Sequence, residues 1–257
     1  MNNKNVFLEE EIPYKKLEKI GIDRKSILQM PKELIEPLLG GRQTPLIQAA
    51  FKTTEGKIMQ IPLKLQLVRD KEGNASIMVF PARKEVNNDI KLSPYELERL
   101  QKGEILKKEV NNDGTRRVKF IQLDRETNNL LLRNISSVRL QDKLKDIEKI
   151  KDIELGAQQK QAIVEGKAVE LNVGNQKVTV GVDLKEPQGF KIVKGDMREW
   201  EIQQMIRYDL EHEGFMGYVK TDQNRWEYQQ VVDKLQHKGE TNLSQKQENK
   251  QSSGIKM

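Results

Sequence analysis

A chain of 257 residues that is 36% hydrophobic, 33% charged and only 5% aromatic suits about two or three small domains with thin cores of Leu, Ile and Val. It contains no cysteine, which excludes a disulfide framework, a thiolate metal site and a cysteine nucleophile. The net charge of +6 is unevenly placed, with +7 on residues 1–153, −3 on residues 154–237 and +2 on the remainder. A basic front half can steer a polyanion, although Lys and Glu also serve simply to solvate a large surface.

The N-terminus reads Met1-Asn2-Asn3-Lys4-Asn5 and has no apolar signal core. Apolar runs such as Ile77-Met78-Val79-Phe80 fall far short of the roughly 20 residues that a membrane span needs. The expectation is a cytoplasmic protein with no membrane partner.

A first domain is predicted over residues 6–87. Pro13 opens a short helix with Leu17 and Ile20 on its apolar side, and Gly21 stops it. A second helix follows Asp23, with Ile27 and Leu28 inward. A third runs from Pro31 toward Leu39, with Leu34, Ile35, Leu38 and Leu39 as its stripe and Pro37 keeping it short or bent. From Ile58 to Val68 the alternation of Ile61, Leu63, Leu65 and Leu67 with polar residues predicts a half-buried strand. Asp70-Lys71-Glu72-Gly73-Asn74 turns it back into a partner strand over Ala75 to Ala82.

Residues 90–153 and 154–195 read as two copies of one unit, each a short helix followed by three antiparallel strands. Leu92, Leu100 and Gly103 of the first align with Leu155, Ile163 and Gly166 of the second. In the first, Ser93, Pro94 and Glu96 make a capping box, and both glycines offer the left-handed residue that ends a helix. The expected strands are Glu104 to Val110, Arg116 to Asp124 and Leu130 to Ile135, then Ala168 to Val173, Gln176 to Asp183 and Phe190 to Val193. Asn111-Asn112-Asp113-Gly114 is a hairpin signal. Leu140, Leu144, Ile147 and Ile150 recur at helical spacing and predict an ordered connection between the units.

Residues 196–237 read as a helical C-terminal element. A helix starts at Asp196 and carries Trp200, Ile202, Met205, Ile206 and Leu210. Phe215 to Lys220 is extended, and a second helix is expected from Asp222 to Gln236. Residues 238–257, rich in Lys, Gln, Asn and Ser, are expected to be disordered. The predicted class is therefore α+β, with small antiparallel sheets and short capping helices.

Catalytic chemistry finds no constellation. The two histidines, His212 and His237, lie outside any metal-spacing motif and have no triad partners. Leu39-Gly40-Gly41-Arg42-Gln43-Thr44 looks superficially like a phosphate cradle but lacks the spacing and the Lys-Ser/Thr ending of a P-loop, so a helix-terminating turn is the better reading. No carboxylate pair stands apart from ordinary surface Asp and Glu. No enzyme, cofactor or metal is expected.

Two features suit binding. Arg116, Arg117, Lys119, Arg125, Arg133 and Arg139 gather on the first repeat, where a shared sheet face would contact phosphates. Strand alternation argues partly against that face, since Arg116 and Arg117 must point opposite ways. The aromatic residues Trp200, Tyr208, Phe215, Tyr218, Trp226 and Tyr228 gather near the C-terminus, either as a partner surface or as the core of a small element.

Glu11-Ile12-Pro13-Tyr14, Leu17 through Ile22, Leu39 through Thr44 and Pro81 through Glu85 together resemble an N-terminal domain of unknown function. Phe120 through Leu130 and the helix near Gln158 through Ala162 resemble the second domain that commonly accompanies it. This two-domain family occurs in proteins of conjugative and other mobile elements of gut anaerobes, sometimes joined to a type IA topoisomerase, of which no portion is recognisable here. The resemblance implies no biochemistry. It frames the expectation of a non-enzymatic accessory protein that binds DNA or a DNA-processing complex. The alternative is a protein–protein adaptor that docks a partner through the aromatic element.

Overall fold

The computed structural model describes residues 6–52, 55–112, 115–135, 138, 155–205, 214–221 and 225–233. The fold is mixed α+β, with three sheets and short helices. The first module opens with a 3-10 turn at Glu9–Glu11 and helices α1 (Tyr14–Glu18), α2 (Arg24–Leu28) and α3 (Lys32–Leu39). The Asp23 side chain caps α2 by accepting from the Ser26 amide at 2.8 Å. The strands are β1 (Ile47–Lys52), β2 (Ile58–Arg69) and β3 (Ala75–Pro81). Leu63, Leu65 and Leu67, the inward side of the alternation on β2, meet Leu17, Ile27, Leu34 and Leu38 from the three helices in one core.

The repeat is present as two like-built units. In the first, α4 (Pro94–Gln101) precedes β4 (Leu106–Asn112), β5 (Thr115–Asp124) and β6 (Asn129–Asn134). In the second, α5 (Ala157–Val164) precedes β7 (Val169–Val173), β8 (Gln176–Val182) and β9 (Phe190–Lys194). The capping box on α4 is reciprocal: the Ser93 hydroxyl accepts from the Glu96 amide at 3.2 Å, and the Glu96 carboxylate accepts from the Ser93 amide at 2.7 Å. Gly103 and Gly166 follow the helices with φ of +88° and +85°, the left-handed residue both alignments require. Leu92 and Leu100 are buried in the first core, Leu155 and Ile163 in the second.

The C-terminal part departs from expectation. Helix α6 (Met197–Met205) forms over the first part of the expected helix, whose remainder with Ile206 and Leu210 lies outside the described residues, and β10 (Gly214–Lys220) is extended as read. The expected helix over residues 222–236 does not form, because Trp226–Asp233 is strand β11. Its pairing with β10 carries a bulge: Met216 faces Gln230 while Phe215 faces Val232, so Val231 is the extra residue. One inserted residue breaks the period of two, and the apolar sequence Tyr228, Val231, Val232 then imitates helical spacing. The hairpin does not stand alone. β10 runs parallel to β1, giving a five-stranded sheet in the order β11-β10-β1-β2-β3. Neither β1 nor this parallel pairing was expected from the sequence. The predicted connecting helix near residues 140–153 and the tail 238–257 lie outside the described residues.

The three modules meet at a buried ionic cluster. Lys64 of β2, Asp124 at the end of β5 and Lys185 after β8 are 3%, 0% and 5% exposed. Lys64 Nζ donates to both Asp124 oxygens at 3.0 and 2.9 Å, Lys185 Nζ lies 3.0 Å from Oδ1, and Thr127 Oγ1 donates to Oδ2 at 2.9 Å. Lys64 also pairs with Glu126. Around the cluster, the Leu184 amide donates to Gln122 Oε1 at 2.6 Å and the Arg83 amide to the Thr127 carbonyl at 2.9 Å. Burial alone would raise the Asp124 pKa, but the charges of Lys64 and Lys185 and their hydrogen bonds outweigh it and hold the carboxyl below its ordinary value of 3.8.

A depressed folded-state pKa stabilises the fold above the unfolded value and loses that contribution as pH falls toward the folded one. Urea midpoints should therefore decline progressively as pH drops below about 4. Asp124→Asn at neutral pH should cost about 3–5 kcal/mol, because it strands two buried ammonium groups. A loss below about 1 kcal/mol would show the cluster to be no more than surface-like pairing.

Candidate nucleic-acid interface

Alternation along β5 sorts the expected basic residues onto two faces. Residues directly opposite in a ladder share a face. The pairs Leu106–Ile121, Lys108–Lys119 and Val110–Arg117 therefore put Arg117 and Lys119 on the side packed against α4. Arg116 shares the other face with Phe120, Gln122 and Asp124, and with Arg133 through the Phe120–Arg133 pair.

That second face is largely occupied. Phe120 and Leu131 pack with Val182 and Leu184 of the neighbouring unit. Arg133 Nη1 donates to the Pro187 carbonyl at 2.8 Å, and burial lowers the pKa of its guanidinium. Arg133 thus holds two modules together. Arg125 is half-buried beside Gly103. Arg139 lies outside the described residues. The five described residues do not share one face.

What remains accessible is an arm. β6 pairs with β5 only from Asp124 back to Lys119, whereas β4 continues to pair as far as Asn112–Thr115. Beyond Lys119 the β4–β5 hairpin is a two-stranded ribbon, and Thr115, Arg116, Arg117 and Val118 are all exposed on it. Lys107 is exposed at its base. Lys108 is engaged, donating to Glu96 Oε1 and Oε2 at 2.8 and 2.7 Å. This contact, with the Ser93 amide, holds the Glu96 carboxyl below its ordinary range. No carboxylate pairs with Arg116 or Arg117 among the described residues. Their cationic heads, on consecutive residues, project to opposite sides of a narrow ribbon.

The described aromatic residues do not assemble into one surface either. Trp200 is buried over Gly181, where an added Cβ would stand 2.7 Å from the indole ring. Trp226 belongs to the first sheet, donating from Nε1 to the Ser26 carbonyl at 2.9 Å and packing on that module's core. Tyr218 and Tyr228 form a tilted pair with centroids 5.0 Å apart, and Tyr228 is 59% exposed. Phe215 is half-buried. Tyr208, His212 and His237 lie outside the described residues. Among the described residues no group of three or more His, Asp or Glu side chains is placed to hold a metal, and no helix is long and apolar enough to cross a membrane.

Residues 7–91 match the model of a family described as a protein of unknown function, DUF4099. The match covers the first module and the strap leading to α4, in agreement with an N-terminal domain from an uncharacterised family. No curated protein matches the chain, and no solved structure does.

If Trp200 is a packing residue, Gly181→Ala should displace its ring. The expected cost is about 1–3 kcal/mol of overpacking, seen as a lower melting midpoint and a red-shifted tryptophan emission. An unchanged spectrum and midpoint would return Trp200 to the set of partner-facing residues.

Proposed function

We propose that this chain is a non-enzymatic, cytoplasmic accessory protein of a mobile genetic element that binds nucleic acid through the β4–β5 ribbon. The observation that carries the reading is the exposure of Arg116 and Arg117, without carboxylate partners among the described residues, on opposite faces of a two-stranded arm. A two-stranded β-ribbon fits the major groove of B-DNA. A groove has a phosphate backbone along each wall, so cations on both faces of the ribbon are an advantage there. On a flat sheet they would be divided. Lys107 and Lys119 extend the same charge toward the base of the arm. Phosphate contacts of this kind position a protein without reading sequence. The mobile-element setting rests on the resemblance of the N-terminal and repeat segments.

The adaptor reading has less support, since Trp200 and Trp226 are engaged in packing. Among the described aromatic residues of the C-terminal part, Tyr228 is exposed and open to a partner.

Fluorescence anisotropy of the purified protein with single- and double-stranded DNA at several salt concentrations tests the proposal. The expected result is binding that weakens steeply with salt and favours duplex. Arg116→Glu combined with Arg117→Glu should abolish most affinity and reduce the salt slope by about 2. Absence of binding even at low salt would overturn the reading, and a partner pull-down comparing wild type with Tyr228→Ala would then take up the adaptor alternative.

A further inference from the structure

The first module also contains the helix–three-strand unit, as α3 followed by the antiparallel meander β1-β2-β3. Gly41, Gly103 and Gly166 follow the three helices with φ of +67°, +88° and +85°. Asp70, Asp124 and Asp183 close the three second strands. Each aspartate carbonyl accepts from the amide three residues on, at 3.1, 3.2 and 3.2 Å. The turns that begin at Asp124 and Asp183 each land on the unit before them. Lys64 meets Asp124 and Glu126, and Asn129 Nδ2 donates to the Pro81 carbonyl at 2.8 Å. One unit later, the Leu184 amide meets Gln122, Lys185 meets Asp124 and Arg133 meets the Pro187 carbonyl. Both landings use the sheet face turned away from the receiving unit's own helix, which carries Lys64 and Phe80 in the first module and Gln122 and Leu131 in the first unit.

The corresponding face of the second unit meets helix α6 instead of another unit. Counted back from the strand-ending aspartate, Thr179 and Gly181 stand where Phe120 and Gln122 stand in the first unit. Lacking a Cβ in mid-strand, Gly181 leaves a hollow, and the Trp200 indole fills it. Thr179 Oγ1 donates to the Gly195 carbonyl at 2.9 Å, and the Met197 amide donates to Glu170 Oε2 at 3.0 Å. The hold is thin. Among the described side chains of α6 only Trp200 is buried. A cleft of about 310 Å³ opens between Met197, Trp200 and Gln204 of α6 and Ile105, Ala168 and Val182 of the two units. An element with so few buried apolar contacts belongs to the low-stability end of a structure.

Stacked repeats need an element that closes the last docking face. At the other end of this array, the turn Asp70–Asn74 of the first module is exposed throughout. It keeps the local bonding of its counterparts, with Asp70 Oδ1 accepting from the Glu72 amide at 3.0 Å as Asp183 Oδ1 accepts from the Lys185 amide at 3.1 Å. Its charge also matches the capped face. Lys177 stands six residues before Asp183, as Lys64 stands six before Asp70. Glu72 stands two after Asp70, as Glu126 stands two after Asp124. Since Lys64 and Glu126 form the ion pair of the first junction, Glu72 of another copy would find Lys177 in the same place. We propose that α6 is a cap over a docking face, and that the partner fitted to this face is the first module of a second copy, docked head to tail through its Asp70–Asn74 turn. Such a contact is heterologous and extends from copy to copy, and the cap holds it shut. Neither the cap nor the docking rests on nucleic-acid binding by the ribbon.

Sedimentation velocity of the full chain between about 1 and 100 μM, the range in which a weak interface fills, tests this. Wild type should remain monomeric. Trp200→Ala should raise the weight-average mass about twofold or more at the upper concentrations. Glu201→Pro breaks α6 from an exposed position and leaves every side chain of the second unit in place. It should act in the same way, and it decides the matter if circular dichroism shows Trp200→Ala to have lost its fold. In the uncapped protein, Glu72→Lys alone or Lys177→Glu alone should restore the monomer. An equal mixture of those two proteins should associate again, because each offers the other the opposite charge. Wild type associating as strongly as the uncapped protein would overturn the proposal, as would uncapped protein that stays monomeric. Association indifferent to both charge substitutions would show only a sticky apolar surface, and a mixture that stays monomeric would remove the Glu72–Lys177 pairing; either result sinks the docking.

Discussion

The contact on which the rest of this molecule depends is the carboxylate of Asp124 between the ammonium groups of Lys64 and Lys185. Each ion comes from a different module, and each is almost wholly removed from water. Burying any of them singly would be costly, and their mutual attraction offsets that cost only when all three modules are docked. The cluster is therefore a condition on geometry more than a source of net stability. Apolar residues of similar volume would hold the junction as firmly, but they would tolerate a rotated or slipped arrangement that the ions do not. Thr127 Oγ1 and Glu126 complete the hydrogen bonding, so the carboxylate and one ammonium are well satisfied.

The same turn serves two ends in the two repeat units. Asp124 ends β5 and Asp183 follows β8, and in both the amide three residues on donates to the aspartate carbonyl at 3.2 Å. In the second unit the Asp183 side chain stays local, accepting from the Lys185 amide at 3.1 Å. In the first unit the equivalent carboxylate keeps a local bond from Thr127 Oγ1 and also meets the two lysines. An aspartate ending a strand before a turn is a common local feature. Its use as the hub of three modules depends on Lys64 and Lys185, residues 60 and 61 positions away in the chain, so no local pattern announces it.

Legibility followed the range of the interactions. The capping box at Ser93, the glycine stops, the alternation of β2 and the strands of both repeats are local patterns, and they formed where the sequence pointed. The parallel pairing of β1 with β10 joins residues more than 160 positions apart, and no local signal announces it. The bulge at Val231 did active harm, turning a strand pattern into a helical one. For the basic cluster, nearness in sequence was a poor guide to a common surface. Alternation already separated Arg116 from Arg117, and only the docking of the second repeat shows Arg133 to be spent on the Pro187 carbonyl. The Gly40 to Thr44 segment reads as a helix-ending turn, and it is one.

The ribbon's charge also has a competing physical account. A projecting hairpin exposes two strand edges beyond the third strand, and charged side chains on such edges discourage pairing with another chain. That account makes Lys and Arg protective without any ligand. It favours lysine in particular, and so accounts for Lys107, Lys108 and Lys119 more readily than for the two arginines. Between Leu106 and Lys119 the chain carries five cations, Lys107, Lys108, Arg116, Arg117 and Lys119, against Glu109 and Asp113. Lys108 pairs with Glu96, whereas no carboxylate pairs with the two arginines at the exposed end among the described residues. Edge protection explains why the ribbon is charged. The adjacent arginines at its far end are what the proposed polyanion partner adds to that account.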